Sequence, residues 1–212
     1  MANENNSASA LRGLYLVTPD WDDTQKLVKV TEQALKGGVS LLQYRHKTAN
    51  ETMRREQAVA LQLLCRQYNT PFIINDHIEL CMDLDADGIH VGGTDKAVAD
   101  VRAMIGADKI LGASCYGDLT LAQAAEKAGA SYVAFGGFYP SKVKKYPVTT
   151  SPTIVSDWKA QGKLPSVVIG GMTRDNSAPL VKNGADMVAA ISSVYLADDA
   201  EKAAQEFTAL FA

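Results

Sequence analysis

No apolar run in this sequence approaches the ~20 residues a membrane helix needs, so a spanning helix is excluded. Charge of one sign is also missing. With 21 Lys+Arg against 24 Asp+Glu and a formal net charge of −3, the chain lacks the basic excess of a nucleic-acid binder, and any anion site must be a local cluster. DNA and RNA are therefore not expected partners. Cysteine is scarce: Cys65, Cys81 and Cys115 form no close-spaced ligand pair, and each sits among apolar neighbours, which predicts buried packing residues in a reducing cytoplasm. The three histidines, His46, His77 and His90, lack metal-ligand spacing, so a zinc site is not expected. No G-x-G-x-x-G, no P-loop and no Ser-His-Asp or Cys-His pattern is present. Residues 1–10, MANENNSASA, have neither a positive start nor an apolar stretch. They predict a flexible tail rather than a signal peptide or anchor.

What remains is ordinary globular composition, 47% hydrophobic and 21% charged over 212 residues. A chain of this size buries about 70% of its unfolded surface without disulfide or metal, which predicts one domain over residues 11–212. Eight short apolar runs recur: 14–18, 40–44, 72–74, 88–91, 110–113, 132–135, 166–169 and 187–191. They are continuous rather than alternating, the pattern of strands covered on both faces of a parallel sheet. Between them lie apolar residues at helical spacing, such as Leu27, Val30 and Ala34, then Val59 and Leu63, then Leu121, Ala125 and Ala128. Gly37-Gly38, Gly129 and Gly184 each precede a strand and read as helix stops. Eight such units in about 200 residues predict an α/β fold, a single (β/α)8 TIM barrel, with an open doubly wound sheet as the alternative.

The polar residues fall at the ends of these runs, where a parallel barrel gathers its site. Arg45 and Lys47 lie two apart with Gln43 on the same side, either facing an anion together or forming a solvated charge cluster. Asn75 and Asp76 follow the third run; Asp76 either caps a helix near His77 or, with Asp95 after the next strand, offers two carboxylates to an octahedral Mg2+. His90 is expected to point into the barrel or pair locally, and Ser114 follows the fifth run. Residues 136–147 mix Gly, Pro and three lysines and read as a charged lid or as a plain surface loop. Gly170-Gly171 either lets the backbone approach a phosphate or packs tightly. Ser192 and Ser193 follow the eighth run.

Taken in order, Tyr15-Leu16-Val17-Thr18, Gln43-Tyr44-Arg45-His46-Lys47, Ile74-Asn75-Asp76, the stretch Ala86 to Gly92, Gly112-Ala113-Ser114, Pro140 to Lys144, Ile169-Gly170-Gly171 and Gly184 to Ser192 resemble the thiamine-phosphate synthases over nearly the whole chain. The resemblance implies a (β/α)8 barrel that joins a hydroxymethylpyrimidine diphosphate to a thiazole phosphate and releases pyrophosphate. It implies that Gln43, Tyr44, Arg45, His46, Lys47, Asn75, Ser114 and Lys144 hold the pyrimidine diphosphate, with Arg45, Lys47, Ser114 and Lys144 acting on the leaving group. Asp76 and Asp95 would ligate Mg2+, and Ser141, Lys142, Val143, Gly171, Ile191 and Ser192 would hold the thiazole phosphate. Partners are then small molecules, with room for a homodimer. Three positions depart from the family pattern: Gly93 stands for Gln, Gly137 for Pro, and Val143 for a hydroxyl residue. Two other functions fit the same barrel, a thiazole tautomerase, whose members tend to lack the Asn-Asp carboxylate and to place a histidine where Gly137 stands, and a non-catalytic phosphate-ligand-binding protein.

Overall fold

A computed structural model of the chain describes residues 11–92, 97–140 and 150–212. Eight parallel strands close on themselves in sequence order: β1 (Gly13–Val17), β2 (Val39–Tyr44), β3 (Phe72–Asn75), β4 (Gly88–Val91), β5 (Ile110–Tyr116), β6 (Tyr132–Gly136), β7 (Ser166–Ile169) and β8 (Met187–Ala190). The seam is the pairing of β1 with β8, Leu14 opposite Val188 and Tyr15 opposite Ala189. Around the barrel lie α1 (Thr24–Lys36), α2 (Glu51–Gln67), α3 (Ile78–Asp83), α4 (Val98–Ile105), α5 (Leu119–Lys127), α6 (Ile154–Gln161), α7 (Arg174–Lys182), α8 (Ser192–Tyr195) and α9 (Ala200–Thr208). The closed barrel decides against the open sheet. Among the described residues no helix is long and apolar enough to cross a membrane.

Strand residues alternate between two apolar layers, as the pleat requires. One side, Tyr15, Val17, Leu41, Ile73, Tyr132, Ala134, Val167, Met187 and Ala189, fills the barrel interior. The other, including Leu14, Leu16, Leu42, Phe72, Ile74, Ile89 and Val168, packs beneath the helices, which is why both faces read as apolar. Each helix then follows local signals. Asp23 accepts from the Lys26 amide at 2.9 Å to start α1, Asn50 does the same for Met53 in α2, and Thr173 and Asn176 form a reciprocal capping box for α7. At the junctions Gly129 and Gly184 have φ of +89° and +107°, a conformation only glycine enters without cost, so these helices stop where the sequence predicts.

Two details differ from expectation. β5 continues past Ala113 to Tyr116, with a register shift between Ser114 and Tyr116 where it pairs β6, so Ser114 sits within the strand end. Val59, Leu63 and Leu121 are exposed, whereas α2 buries Gln57, Ala58, Leu61, Gln62 and Cys65 and α5 buries Ala122 and Ala125.

The cysteines are free and buried, as expected. Burial pushes Cys81 up to about 11 and Cys115 to about 12, and moves Cys65 in the same direction. At pH 8 a thiol titrating near 11 is thiolate in roughly one molecule in a thousand. The native protein should therefore leave all three thiols unreacted with a disulfide reagent over minutes, and urea should release three. A fast-reacting thiol in the native state would contradict this packing.

Candidate active site

The C-terminal ends of β2, β3, β4 and β5 bring most of the predicted polar residues to one mouth. On β2 the period of two puts Gln43 and Arg45 on the same side as Leu41, the interior side. Arg45 is 7% exposed, and its chain is pinned by Thr18, whose hydroxyl accepts from the Arg45 amide at 2.7 Å and donates to the Arg45 carbonyl at 2.8 Å. Its guanidinium meets Asp20 through Nη1 at 3.1 and 3.3 Å, while Nε is buried with no partner among the described residues. Asp20 also accepts from the Lys47 amide at 2.9 Å, so one carboxylate holds both ends of the basic segment.

Lys47 pairs with Asp76, and the Asn75 amide donates to the same Asp76 oxygen at 2.7 Å. Asp76 has φ +64°, a left-handed conformation for a non-glycine residue, and its amide donates to the His90 carbonyl at 2.9 Å. The N-cap of α3 is His77, whose side chain makes no capping bond. The helix-cap reading of Asp76 is thus set aside: its carboxylate faces Lys47 and Asn75.

His90 lies within β4 and points into the barrel, 8% exposed, with Nδ1 2.8 Å from the Tyr132 hydroxyl and Nε2 2.9 Å from Ser114 Oγ. Tyr132 in turn meets the Tyr15 hydroxyl at 2.6 Å, and Gln43 Nε2 donates to Tyr15. Gln43 and Ser114 therefore stand at the two ends of one buried polar chain.

Two expected residues point elsewhere. Tyr44 faces the helix layer and donates to Gln57 Oε1 at 3.0 Å, because successive strand side chains alternate. The His46 side chain is wholly enclosed, with Nδ1 accepting from the Ala49 amide at 3.1 Å and Nε2 3.2 Å from Asp22. Neither side chain lines the mouth. On the far side, Gly171 has φ +64°, and a Cβ there would run into the Pro140 carbonyl and come within 3.0 Å of Tyr139 Cβ. The glycine pair thus lets the loops after β6 and β7 pack together. Ile191 precedes α8, Ser192 opens it, and the Ser193 hydroxyl is buried without a partner among the described residues. Asp95, Gly93 and the segment carrying Ser141, Lys142, Val143 and Lys144 lie outside the described residues. The residues that sequence reasoning missed are Asp20, Tyr15 and Tyr132.

The strand ends thus carry a buried guanidinium, an ammonium, an amide and a hydroxyl, balanced by the Asp20 carboxylate on the Arg45 side and the Asp76 carboxylate on the Lys47 side. The thiamine monophosphate synthase family model matches residues 14–194. That decides the family. The chain belongs to the thiamine monophosphate synthase family. A thiamine-phosphate synthase of Janthinobacterium sp. (strain Marseille) is 79% identical over 204 residues, covering 96% of this chain and 99% of its own. That of Nitrosomonas eutropha is 45% identical over 199 residues, covering 94% of each. Among solved structures, a thiamine phosphate pyrophosphorylase from Pyrococcus furiosus superposes with a TM-score of 0.84 at 30% identity, covering 97% of this chain and 98% of that one. A 3-hexulose-6-phosphate synthase, at 16% identity and a TM-score of 0.70, shares the fold alone.

In this family member Asp20 has a specific task, to hold Arg45 against the mouth. Asp20→Asn should raise the Michaelis constant for a diphosphate substrate by about tenfold, the value of one charge-assisted hydrogen bond. Steady-state kinetics check it; an unchanged constant would mean that Thr18 and packing hold Arg45 without Asp20.

Proposed function

We propose that the protein is a thiamine-phosphate synthase, with residues 11–212 as its one domain, acting in the cytoplasm on a 4-amino-2-methyl-5-(diphosphooxymethyl)pyrimidine and a 4-methyl-5-(2-phosphoethyl)thiazole. The observation that carries the site assignment is the buried Nε of Arg45, without a partner among the described residues, on the same strand-end face as Lys47, Asn75 and Ser114. A buried cationic donor left unpaired is unfavourable unless an anion completes it.

The chemistry needs no base. The bond between the pyrimidine methylene carbon and the diphosphate oxygen breaks, and its electron pair leaves with pyrophosphate. The aminopyrimidine stabilises the carbon cation. The thiazole nitrogen, which carries no proton, then gives its lone pair to that carbon and becomes the thiazolium nitrogen. What the protein supplies is positive charge and donors placed where negative charge grows, from Arg45, Lys47, Ser114 and Lys144, with Gln43 and Asn75 orienting the pyrimidine diphosphate. Ser141, Lys142, Val143, Gly171, Ile191 and Ser192 are assigned to the thiazole phosphate.

Asp76 and Asp95 are assigned to Mg2+. Among the described residues no group of three or more His, Cys, Asp or Glu side chains could cage a metal. One or two carboxylates with water and phosphate oxygens are, however, the usual donor set of Mg2+, and Asp76 beside a diphosphate site fits it. When bound, the ion would neutralise charge on the leaving pyrophosphate.

Incubating the purified protein with both substrates and Mg2+ should yield thiamine phosphate and pyrophosphate in equal amounts. Binding without turnover, or isomerisation of the thiazole alone, would replace this reading with one of the two other functions that fit the barrel.

A further inference from the structure

The buried chain Gln43, Tyr15, Tyr132, His90, Ser114 crosses the barrel from β2 through β1, β6 and β4 to β5, and its proton order can be worked out link by link. Burial raises the pKa of Tyr15 and lifts that of Tyr132 well above its ordinary value, so each phenol keeps one proton to place. The Gln43 amide nitrogen can only donate, and the Tyr15 oxygen accepts from it. Tyr15 is 1% exposed and its hydroxyl has two partners, Gln43 and Tyr132, so its proton goes to Tyr132. The reverse order requires the Gln43 amide turned over, with its oxygen accepting from Tyr15, and would place the His90 proton on Nδ1. Tyr132, having accepted, donates to His90 Nδ1. A neutral imidazole whose Nδ1 accepts carries its proton on Nε2, which faces Ser114 Oγ. Ser114 then accepts from His90 and keeps its own proton for the mouth, where the half-buried residue opens.

The backbone opposite this link is bare. Gly112 pairs with His90 in the register of β4 and β5, and a Cβ on it would strike the Tyr132 hydroxyl end and fall 2.6 Å from His90 Nδ1. The His90 and Tyr132 rings stack with centroids 5.7 Å apart and planes 20° from parallel, and Tyr15 meets Tyr132 edge-on at 5.7 Å.

We propose that Tyr15 and Tyr132 are positioning residues: through them the Gln43 amide fixes His90 with its proton on Nε2, so that Ser114 presents its hydroxyl proton to the departing diphosphate. The inference rests on the synthase reading for what occupies the mouth. The opposite order would spend the Ser114 proton on His90 and turn a lone pair toward an anion.

Two measurements test it. The chain has three histidines, so the His90 ring nitrogens can be assigned by 15N NMR of the ligand-free protein with the help of His46 and His77 variants. The proton is expected on Nε2; a proton on Nδ1 overturns the relay. The second test is a double-mutant cycle on turnover between Tyr132→Phe and Ser114→Ala, two residues with His90 between them. Tyr132→Phe should lower kcat by about tenfold, no more than Ser114→Ala does, as expected for one weakened hydrogen bond to a charged group. In the Ser114→Ala background its effect should shrink to less than about twofold, because nothing remains for the relay to orient. Equal losses in both backgrounds would make Tyr132 merely structural and overturn the proposal. If Tyr132→Phe does not fold, Tyr15→Phe takes its place in the same cycle with the same expectations. A wild-type protein that forms no thiamine phosphate would sink the functional reading alone, since the tautomer is read without substrate.

Discussion

Arg45→Lys should lower kcat/KM for the pyrimidine diphosphate by about 100- to 1,000-fold, the range seen when one preorganised donor to developing charge is removed. The substitution keeps the charge, so the loss isolates geometry. Arg45 is held by Thr18 on its backbone and by Asp20 on Nη1, which leaves its buried Nε without a partner among the described residues. A lysine ammonium cannot donate to Asp20 and to a diphosphate oxygen in that fixed fork. Because the donor meets an anion that becomes more negative as pyrophosphate leaves, kcat should fall more than the Michaelis constant rises. The constant for the thiazole phosphate should barely move. Equal effects on both substrates would show that Arg45 supplies general positive potential rather than a contact. Combining Arg45→Lys with Asp20→Asn should cost less than the product of the two, since both remove the same positioning.

The eight strands were legible because each contains a largely apolar run of three to five residues, the pattern of a strand buried on both faces. The apolar face of α2 was not. Val59 and Leu63 suggest one face, yet the helix buries Gln57 and Gln62, whose amides donate to the Trp21 and Leu84 carbonyls at 2.8 Å each. Hydrophobic spacing cannot report a glutamine that is buried because a loop carbonyl is waiting for it. The strand-end cluster of Gln43, Arg45, Lys47, Asn75, Asp76 and Ser114 was legible, since strand ends of a parallel barrel share one face. Tyr44 and His46 were carried along by the resemblance, although strand alternation alone places Tyr44 on the opposite side from Gln43. Asp20 sits in a loop between Pro19 and Trp21, with no local pattern to mark it. Tyr15 and Tyr132 lie 117 residues apart and meet only after the barrel closes. Each reads as one more apolar strand residue until β1 and β6 face each other across the interior.

Asp76→Asn and Asp76→Ala should separate two roles that one residue combines. At φ +64°, Asp76 occupies a conformation that asparagine tolerates nearly as well as glycine and alanine does not. Asparagine should therefore leave the melting temperature unchanged, while alanine should lower stability by about 1 kcal/mol, the cost of a left-handed non-glycine residue. Catalysis should respond differently. Both substitutions remove the carboxylate that meets Lys47 and Asn75. The ion pair with Lys47, half exposed, adds little stability of its own. A carboxylate assigned to Mg2+ is worth more, and its removal should lower turnover at limiting Mg2+ by at least about 100-fold, since losing a residue that merely supports a metal's ligands already costs up to that. Added Mg2+ should recover part of the asparagine variant's rate, because the amide oxygen remains a neutral ligand, and less of the alanine variant's. The two variants would then share a catalytic defect and differ in stability. A loss in the asparagine variant that Mg2+ does not relieve at any concentration would assign Asp76 to holding Lys47 instead. Its carboxylate would then act through the ammonium and not through the metal.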